Sequence, residues 1–251
     1  MTEYWISPSS IAWQWEECKR CWWISMLRKN AVRMPRSGLP PVLERVDRLT
    51  INSLKDQPLH NLGIQGRVVS VEEKVKMLPR QYGEVLLLVG GRLDLLVELD
   101  TGGMAIYDVK MTVPSQHTTE RYRRQNAAYA MALRDGPRKI AIQQTGLLCI
   151  TPTFMQSPKE SYVLMDNDTG EMAYNGIARK PVAFMGFDCT VLYQAKSAQD
   201  VEADIENELM PTLTEMGAVL SADRPPPAGN ACQYCGYVAS IMKFAQEMKE
   251  V

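Results

Sequence analysis

The chain has 251 residues, of which 45% are hydrophobic and 23% charged, with a formal net charge of −1. That length is enough to bury a substantial core in one large domain or two small ones. The composition excludes a disordered or low-complexity polypeptide, and the near-zero charge excludes a global positive field, though it leaves room for a local basic groove.

The opening MTEYWISPSS carries an acidic residue and no basic stretch ahead of an apolar one, so no signal peptide is expected. No apolar run approaches the roughly 18 residues of a membrane span. The longest, Val85 to Val89, is strand-sized. A cytoplasmic protein without membrane contact is expected, with its thiols reduced, and there six cysteines point to metal binding rather than disulfides.

Ser7-Pro8-Ser9-Ser10 has the chemistry of a helix start, and apolar residues recur at helical spacing from Ile11 to about Lys29. A proline- and glycine-bearing break over Met34–Pro41 precedes a second helix from Val42 to about Leu54, then a turn-rich stretch. Gly66–Met77 and Glu84–Leu99 read as strands, with Gly90-Gly91 marking a turn or bulge inside the second. Asp100-Thr101-Gly102-Gly103 is a hairpin turn, because glycine supplies the positive φ that tight turns require. Met104–Lys110 returns as a strand, and Glu120–Arg134 forms a helix closed by Asp135-Gly136-Pro137. Strands follow at Ile140–Thr151, Ser161–Asp166 and Val182–Tyr193, then a long acidic helix over Ser197–Ser221 and the stiff Pro225-Pro226-Pro227. The order implies an α/β fold around a mixed sheet.

Strand alternation puts Asp108 and Lys110 on one face while Val109 points into the packing, and the hairpin brings Asp94 near Asp108 across the ladder. Two carboxylates, a backbone carbonyl and a phosphate oxygen suit a hard Mg²⁺ or Mn²⁺ ion, beside which a lysine could orient the nucleophile. An Asp-x-Lys triplet alone is a common surface pair, so the surroundings decide. Gln125 and Tyr129, at i and i+4, share a face of the helix that also carries Arg121, Arg123 and Arg124, three candidates for phosphate contact.

Asp94, Asp108-Val109-Lys110 and Gln125-x-x-x-Tyr129, in this order, resemble the PD-(D/E)XK nuclease superfamily, specifically its RecB-type branch. That branch includes the AddB nuclease domain and the CRISPR-associated adaptation exonucleases. The resemblance implies a restriction-endonuclease-like α/β fold, a mixed central sheet flanked by helices. It implies that Asp94, Asp108 and the Val109 carbonyl hold Mg²⁺ or Mn²⁺, that Lys110 assists the attacking water, and that Gln125 and Tyr129 position DNA and the site. A histidine upstream of the strands often adds a ligand in this branch. Here Asp47 and His60 are the candidates for its place, and His117 reads as a loop residue.

Cys18-Lys19-Arg20-Cys21 and Cys232-Gln233-Tyr234-Cys235 supply four thiolates, enough for a tetrahedral zinc or an iron–sulfur cluster, while Cys149 and Cys189 read as core thiols. By the same resemblance, several branch members tie their chain ends with a [4Fe–4S] cluster, using one cysteine on the first helix and three at the C-terminus. The third C-terminal cysteine is missing here, with Ile241 near its place, and Cys21 becomes the fourth ligand. The expectation is a [4Fe–4S] cluster, with structural Zn²⁺ as the alternative.

The reading is one nuclease domain over residues 1–251. Residues 1–65 form a helical part with the first cysteine pair, 66–195 the nuclease core, and 196–251 the last helix and second pair. Its expected activity is metal-dependent DNA hydrolysis, by an exonuclease on single strands or duplex ends in recombination, repair or phage DNA processing. Any motor would be a separate helicase or recombination protein, since no P-loop occurs. The alternatives are a non-catalytic DNA-binding or scaffolding subunit of the same fold, and a cysteine-metal interaction protein in which the Asp-x-Lys is accidental.

Overall fold

Strand β4 (Val85–Leu99), with the sequence VLLLVGGRLDLLVEL, is apolar on both faces and is therefore covered on both. The protein is described by a computed structural model over residues 1–27, 41–112, 116–156 and 184–247. The strand expected at Ser161–Asp166 and nearly all of the Met34–Pro41 break lie outside these residues.

The first half of β4 pairs in parallel with β1 (Thr2–Ile6) and antiparallel with the short β3 (Arg80–Tyr82). Its second half pairs antiparallel with β2 (Gly66–Lys76) and with β5 (Met104–Lys110). The sheet continues through β6 (Ile142–Gln156), parallel to β5, and β7 (Phe184–Ala195), antiparallel to β6. The mixed α/β architecture is as expected, but β1 and β3 are additions. Both are short strands recruited by β4 and carry little pattern of their own.

Gly90-Gly91 is neither turn nor bulge. The strand runs straight through it, and the glycines mark where β4 exchanges one set of partners for the other. A Cβ on Gly90 would stand 2.7 Å from the Val75 carbonyl oxygen and 2.8 Å from Cη2 of Trp5. The ladder irregularity lies instead in β2, between Val68 and Ser70. The hairpin turn is as expected: Gly102 and Gly103 have φ of 80° and 96°, and Leu99 N–H donates to the Gly103 carbonyl at 3.0 Å.

The first helix begins where its serines predict, with Ser7 Oγ accepting the Ser10 N–H at 3.2 Å. It is not continuous: a π-helical stretch over Ser10–Trp15 is followed, after a break at Cys18, by α1 (Lys19–Leu27). Helices α2 (Pro41–Ser53) and α3 (Gln116–Arg134) match expectation, except that α3 starts early enough to include His117, which is therefore no loop residue. The long acidic helix is α4 (Ala198–Asp204), a π turn at Ile205–Leu209, and α5 (Met210–Ser221). Ser197 caps it by accepting the Asp200 N–H. A further helix, α6 (Gln233–Glu247), follows the second cysteine pair's entry and was not foreseen.

Burial divides the sheet's two faces. Leu96 and Ile106 pack with Ala127, Ala128 and Met131 of α3 and with Leu213 of α5. Leu95, Val97, Tyr107 and Val109 point the other way, toward Ile51 of α2 and toward Leu59 and Ile64. Of the supposed core thiols, Cys149 is buried but Cys189, on β7, is exposed. Among the described residues no helix is long and apolar enough to cross a membrane.

Replacing Gly90 with alanine should lower stability by about 1–3 kcal/mol, the usual cost of forcing a methyl into packed space. Chemical denaturation of the variant beside the parent chain measures it, and an unchanged midpoint would show that the close approach of Trp5 is dispensable.

Candidate active site

The ladder between β4 and β5 is formed from Glu98–Met104 to Leu95–Tyr107 and stops there. One step further, register places Asp94 opposite Asp108, and side-chain chemistry replaces the ladder. Asp94 Oδ2 accepts the Val109 N–H at 2.8 Å, so a carboxylate takes the hydrogen bond that a strand carbonyl would otherwise receive. Both aspartates lie on the α3 face of the sheet, the parity of Leu96 and Ile106. Val109 is buried on the opposite face, as strand alternation requires.

Lys110 closes the arrangement. Its Nζ lies 2.7 Å from Asp108 Oδ2, donates to the Val109 carbonyl at 2.9 Å, and reaches Asp94 Oδ2 at 3.5 Å. Three oxygens from Asp94, Asp108 and Val109 thus converge on a single cationic nitrogen. A donor set of two carboxylates and a carbonyl focused on one point also fits a hard divalent cation.

Helix α3 holds this group from above. Gln125 Nε2 donates to Asp108 Oδ1 at 2.8 Å, and Tyr129 OH donates to the Arg92 carbonyl at 2.7 Å. Gly91 admits the tyrosine: a Cβ there would lie 3.3 Å from Tyr129 Cε1. Gln125 Oε1 is buried and has no hydrogen-bond donor among the described residues, which leaves an acceptor beside Asp108 for water or a ligand.

Electrostatics follow from burial. Asp108 is 2% exposed, and desolvation pushes its carboxyl up to about 7; Lys110 pulls it down and Asp94 adds to the rise. Burial works against the charge of Lys110, yet Asp108 and Asp94 overcome it and hold the ammonium well above its ordinary range. Burial also raises Tyr129, assisted by the two aspartates.

The two candidates for the missing histidine separate clearly in space. His60 sits in a short 3₁₀ turn, half exposed, with Nε2 2.8 Å from Asp100 Oδ2 at the turn end of the hairpin. Asp47, on α2, lies within the field of the site: burial raises its carboxyl, Asp94 raises it further, and Lys110 and Glu72 also act on it. Glu72 was not anticipated. It lies between the pairs Val71–Leu95 and Glu73–Leu93, facing Asp94, with φ of 48°. A left-handed glutamate in a strand is strained, and such strain concentrates at functional sites.

Tyr122 is another addition. Its ring lies 5.3 Å from Lys110 Nζ and packs edge-on against Trp13 at 5.6 Å. Its position one turn before Gln125 and two before Tyr129 was the available signal, since all three share a helix face. The basic face expected on α3 is mostly neutralised. Arg123 pairs with Asp204 and Glu208, Arg124 with Glu16, and Arg121 lies over the Trp13 ring.

The two Cys-x-x-Cys pairs meet. Cys18, Cys21, Cys232 and Cys235 place their ligand atoms within 4.8 Å of one another, and none is in a disulfide. Burial opposes ionisation of Cys18, but the Gly229 and Cys21 amides and neighbouring thiols bring it down to about 7, while burial and the other sulfurs raise Cys21.

A buried carboxylate–lysine centre at the open end of a hairpin, backed by a helix on a mixed α/β sheet, gathers a donor set suited to a hard divalent cation. A family model described as the PD-(D/E)XK nuclease superfamily matches residues 14–240, and the chain belongs to that superfamily, whose members are generally nucleases that use divalent metals. Among solved structures, one described as the crystal structure of SSO0001 is similar, with 11% identity, 81% of this chain and 76% of that chain covered, and a TM-score of 0.37. No curated protein sequence matches the chain.

Because Asp108 titrates at about 7 in the folded protein and near 4 when unfolded, the native state binds the extra proton between these values. Stability should therefore fall as pH rises through that window, by the linkage of proton uptake to unfolding. Denaturant titrations across about pH 4 to pH 7 should show this slope in the parent chain and a shallower one in Asp108→Asn. Equal slopes would mean that Asp108 titrates normally.

Proposed function

We propose that the protein is a deoxyribonuclease of the RecB-type branch, similar to the AddB nuclease domain and the CRISPR-associated adaptation exonucleases, hydrolysing phosphodiesters with Mg²⁺ or Mn²⁺. The observation that carries this reading is the convergence of Asp94 Oδ2, Asp108 Oδ2 and the Val109 carbonyl on one cationic position. Asp94, Asp108 and Val109 are the proposed metal ligands, with Asp47 as the carboxylate in place of the upstream histidine. A divalent ion held there supplies Lewis acidity toward a phosphate oxygen and toward water.

The chain's own residues do the rest. Lys110, kept protonated by the aspartates, moves aside from the ligand oxygens, orients the attacking water and offsets the charge that builds on the phosphate. Gln125 fixes the rotamer of Asp108, and Tyr129 fixes the β4 backbone two residues before Asp94. Tyr122, on the same helix, lays its ring against the lysine. The substrate is DNA, attacked at single strands or duplex ends in recombination, repair or phage DNA processing in the cytoplasm. The chain works as one domain over residues 1–251, with any helicase supplied by a separate protein.

Labelled single-stranded DNA, duplex DNA and RNA, each incubated with Mg²⁺, Mn²⁺ or EDTA, test the reading. Metal-dependent loss of DNA is expected, with Asp108→Ala and Lys110→Ala reducing the rate at least about 100-fold, the scale of losing a charge-stabilising group. Cleavage that survives both substitutions would overturn the site. Because Asp108 must shed its proton to hold a cation, activity should also rise with pH through about 7; a flat profile over that range would contradict the assigned role.

A further inference from the structure

The four-cysteine site has a geometry that discriminates between the two groups such a site can hold. Cys21 Sγ lies 3.5 Å from Cys235 Sγ and 3.6 Å from Cys232 Sγ, and Cys18 Sγ lies 3.8 Å from Cys235 Sγ. All four sulfurs are within 4.8 Å of one another. Thiolates at about 2.3 Å from a central zinc, at the corners of a tetrahedron, stand roughly 3.8 Å apart. In a cubane cluster each thiolate binds a different iron at a separate corner, so the sulfurs are held about 6 Å apart. The observed spacing matches the first arrangement and is well short of the second.

The supporting chain explains the tight spacing. Cys18 sits in the break before α1 and Cys21 in its first turn, while Cys232 precedes α6 and Cys235 lies in its first turn. Each x-x spacer thus brings two sulfurs to one helix end, and the two ends face each other. The Gly229 N–H donates to Cys18 Sγ at 3.3 Å, and Arg20 Nε donates to the Pro226 carbonyl at 2.8 Å, so the segment before α6 is pinned against the first helix.

We infer that the site binds one structural zinc ion in a Cys₄ tetrahedron rather than the [4Fe–4S] cluster that the family resemblance implies. The ion ties the N-terminal helix to α6. This holds whether or not the carboxylate site is a nuclease centre, since its readouts are metal content and spectra.

The test is to express the full chain with iron and zinc both supplemented and purify it without oxygen. About one zinc per chain, with neither the brown absorbance of thiolate-bound iron near 400 nm nor acid-labile sulfide, is the expected result. Cobalt substitution should give the visible bands of a tetrahedral all-thiolate site. Cys235→His should keep the zinc, because imidazole is an ordinary fourth ligand in such sites. Cys18→Ala should lose it and melt at lower temperature, whereas Cys189→Ala should change neither. A brown protein with about four irons and four sulfides per chain would overturn the inference, as would a folded protein that carries neither metal.

Discussion

A lysine ammonium, mostly buried, is held by two aspartates and a carbonyl, and the surrounding structure exists to keep those groups together. None of them is tolerable alone. An unpaired carboxylate at the burial of Asp108 would be protonated, and an unpaired ammonium beside it would be neutral. Together the aspartates sustain the charge of the lysine, but only while the hairpin register puts Asp94 opposite Asp108 and the ladder ends before reaching them. A slip of one residue would send the aspartates to the α2 face and bring Leu95 and Val109 into their place. The double-glycine turn, which fixes that register, is therefore as much a part of the site as the acids are.

Two further devices act on the same group. Gln125 and Tyr129 fasten α3 to the strand ends, the one through Asp108 and the other through the backbone beside Gly91. The N-terminal helix in turn packs against α3. Trp13 packs on Tyr122, whose ring lies against Lys110, and Glu16 pairs with Arg124. After the break at Cys18 the chain continues into α1, which carries Cys21. The four-cysteine cluster and the packing against α3 are thus linked through the N-terminal segment.

The sequence made the hairpin, the helix behind it and the pairing of the cysteine motifs legible, because each depends on local chemistry: glycine φ, strand parity, helical spacing. What it hid depends on partners. β1 and β3 are strands only because β4 presents two unpaired edges, and Gly90-Gly91 resembles a turn until Trp5 and Tyr129 are seen to fill the space beside it. Glu72 could not have been placed, since its position opposite Asp94 follows from an irregularity in β2. By sequence, Asp47 falls on the predicted second helix and His60 in a turn-rich stretch, and neither can be assigned to the site. Only the packing of α2 brings one of them into the field of Asp94 and Lys110 and leaves the other in solvent beside Asp100.

The fate of the arginines on α3 bears on how a site of this kind would hold its substrate. A helix carrying Arg121, Arg123 and Arg124 looks like a phosphate grip, yet two are committed to Asp204, Glu208 and Glu16 and the third lies over Trp13. They brace α3 against the long acidic helix and the N-terminal helix, which is what precise placement of Gln125 and Tyr129 demands. With those charges spent internally and a net charge of −1, long-range attraction for a polyanion is weak.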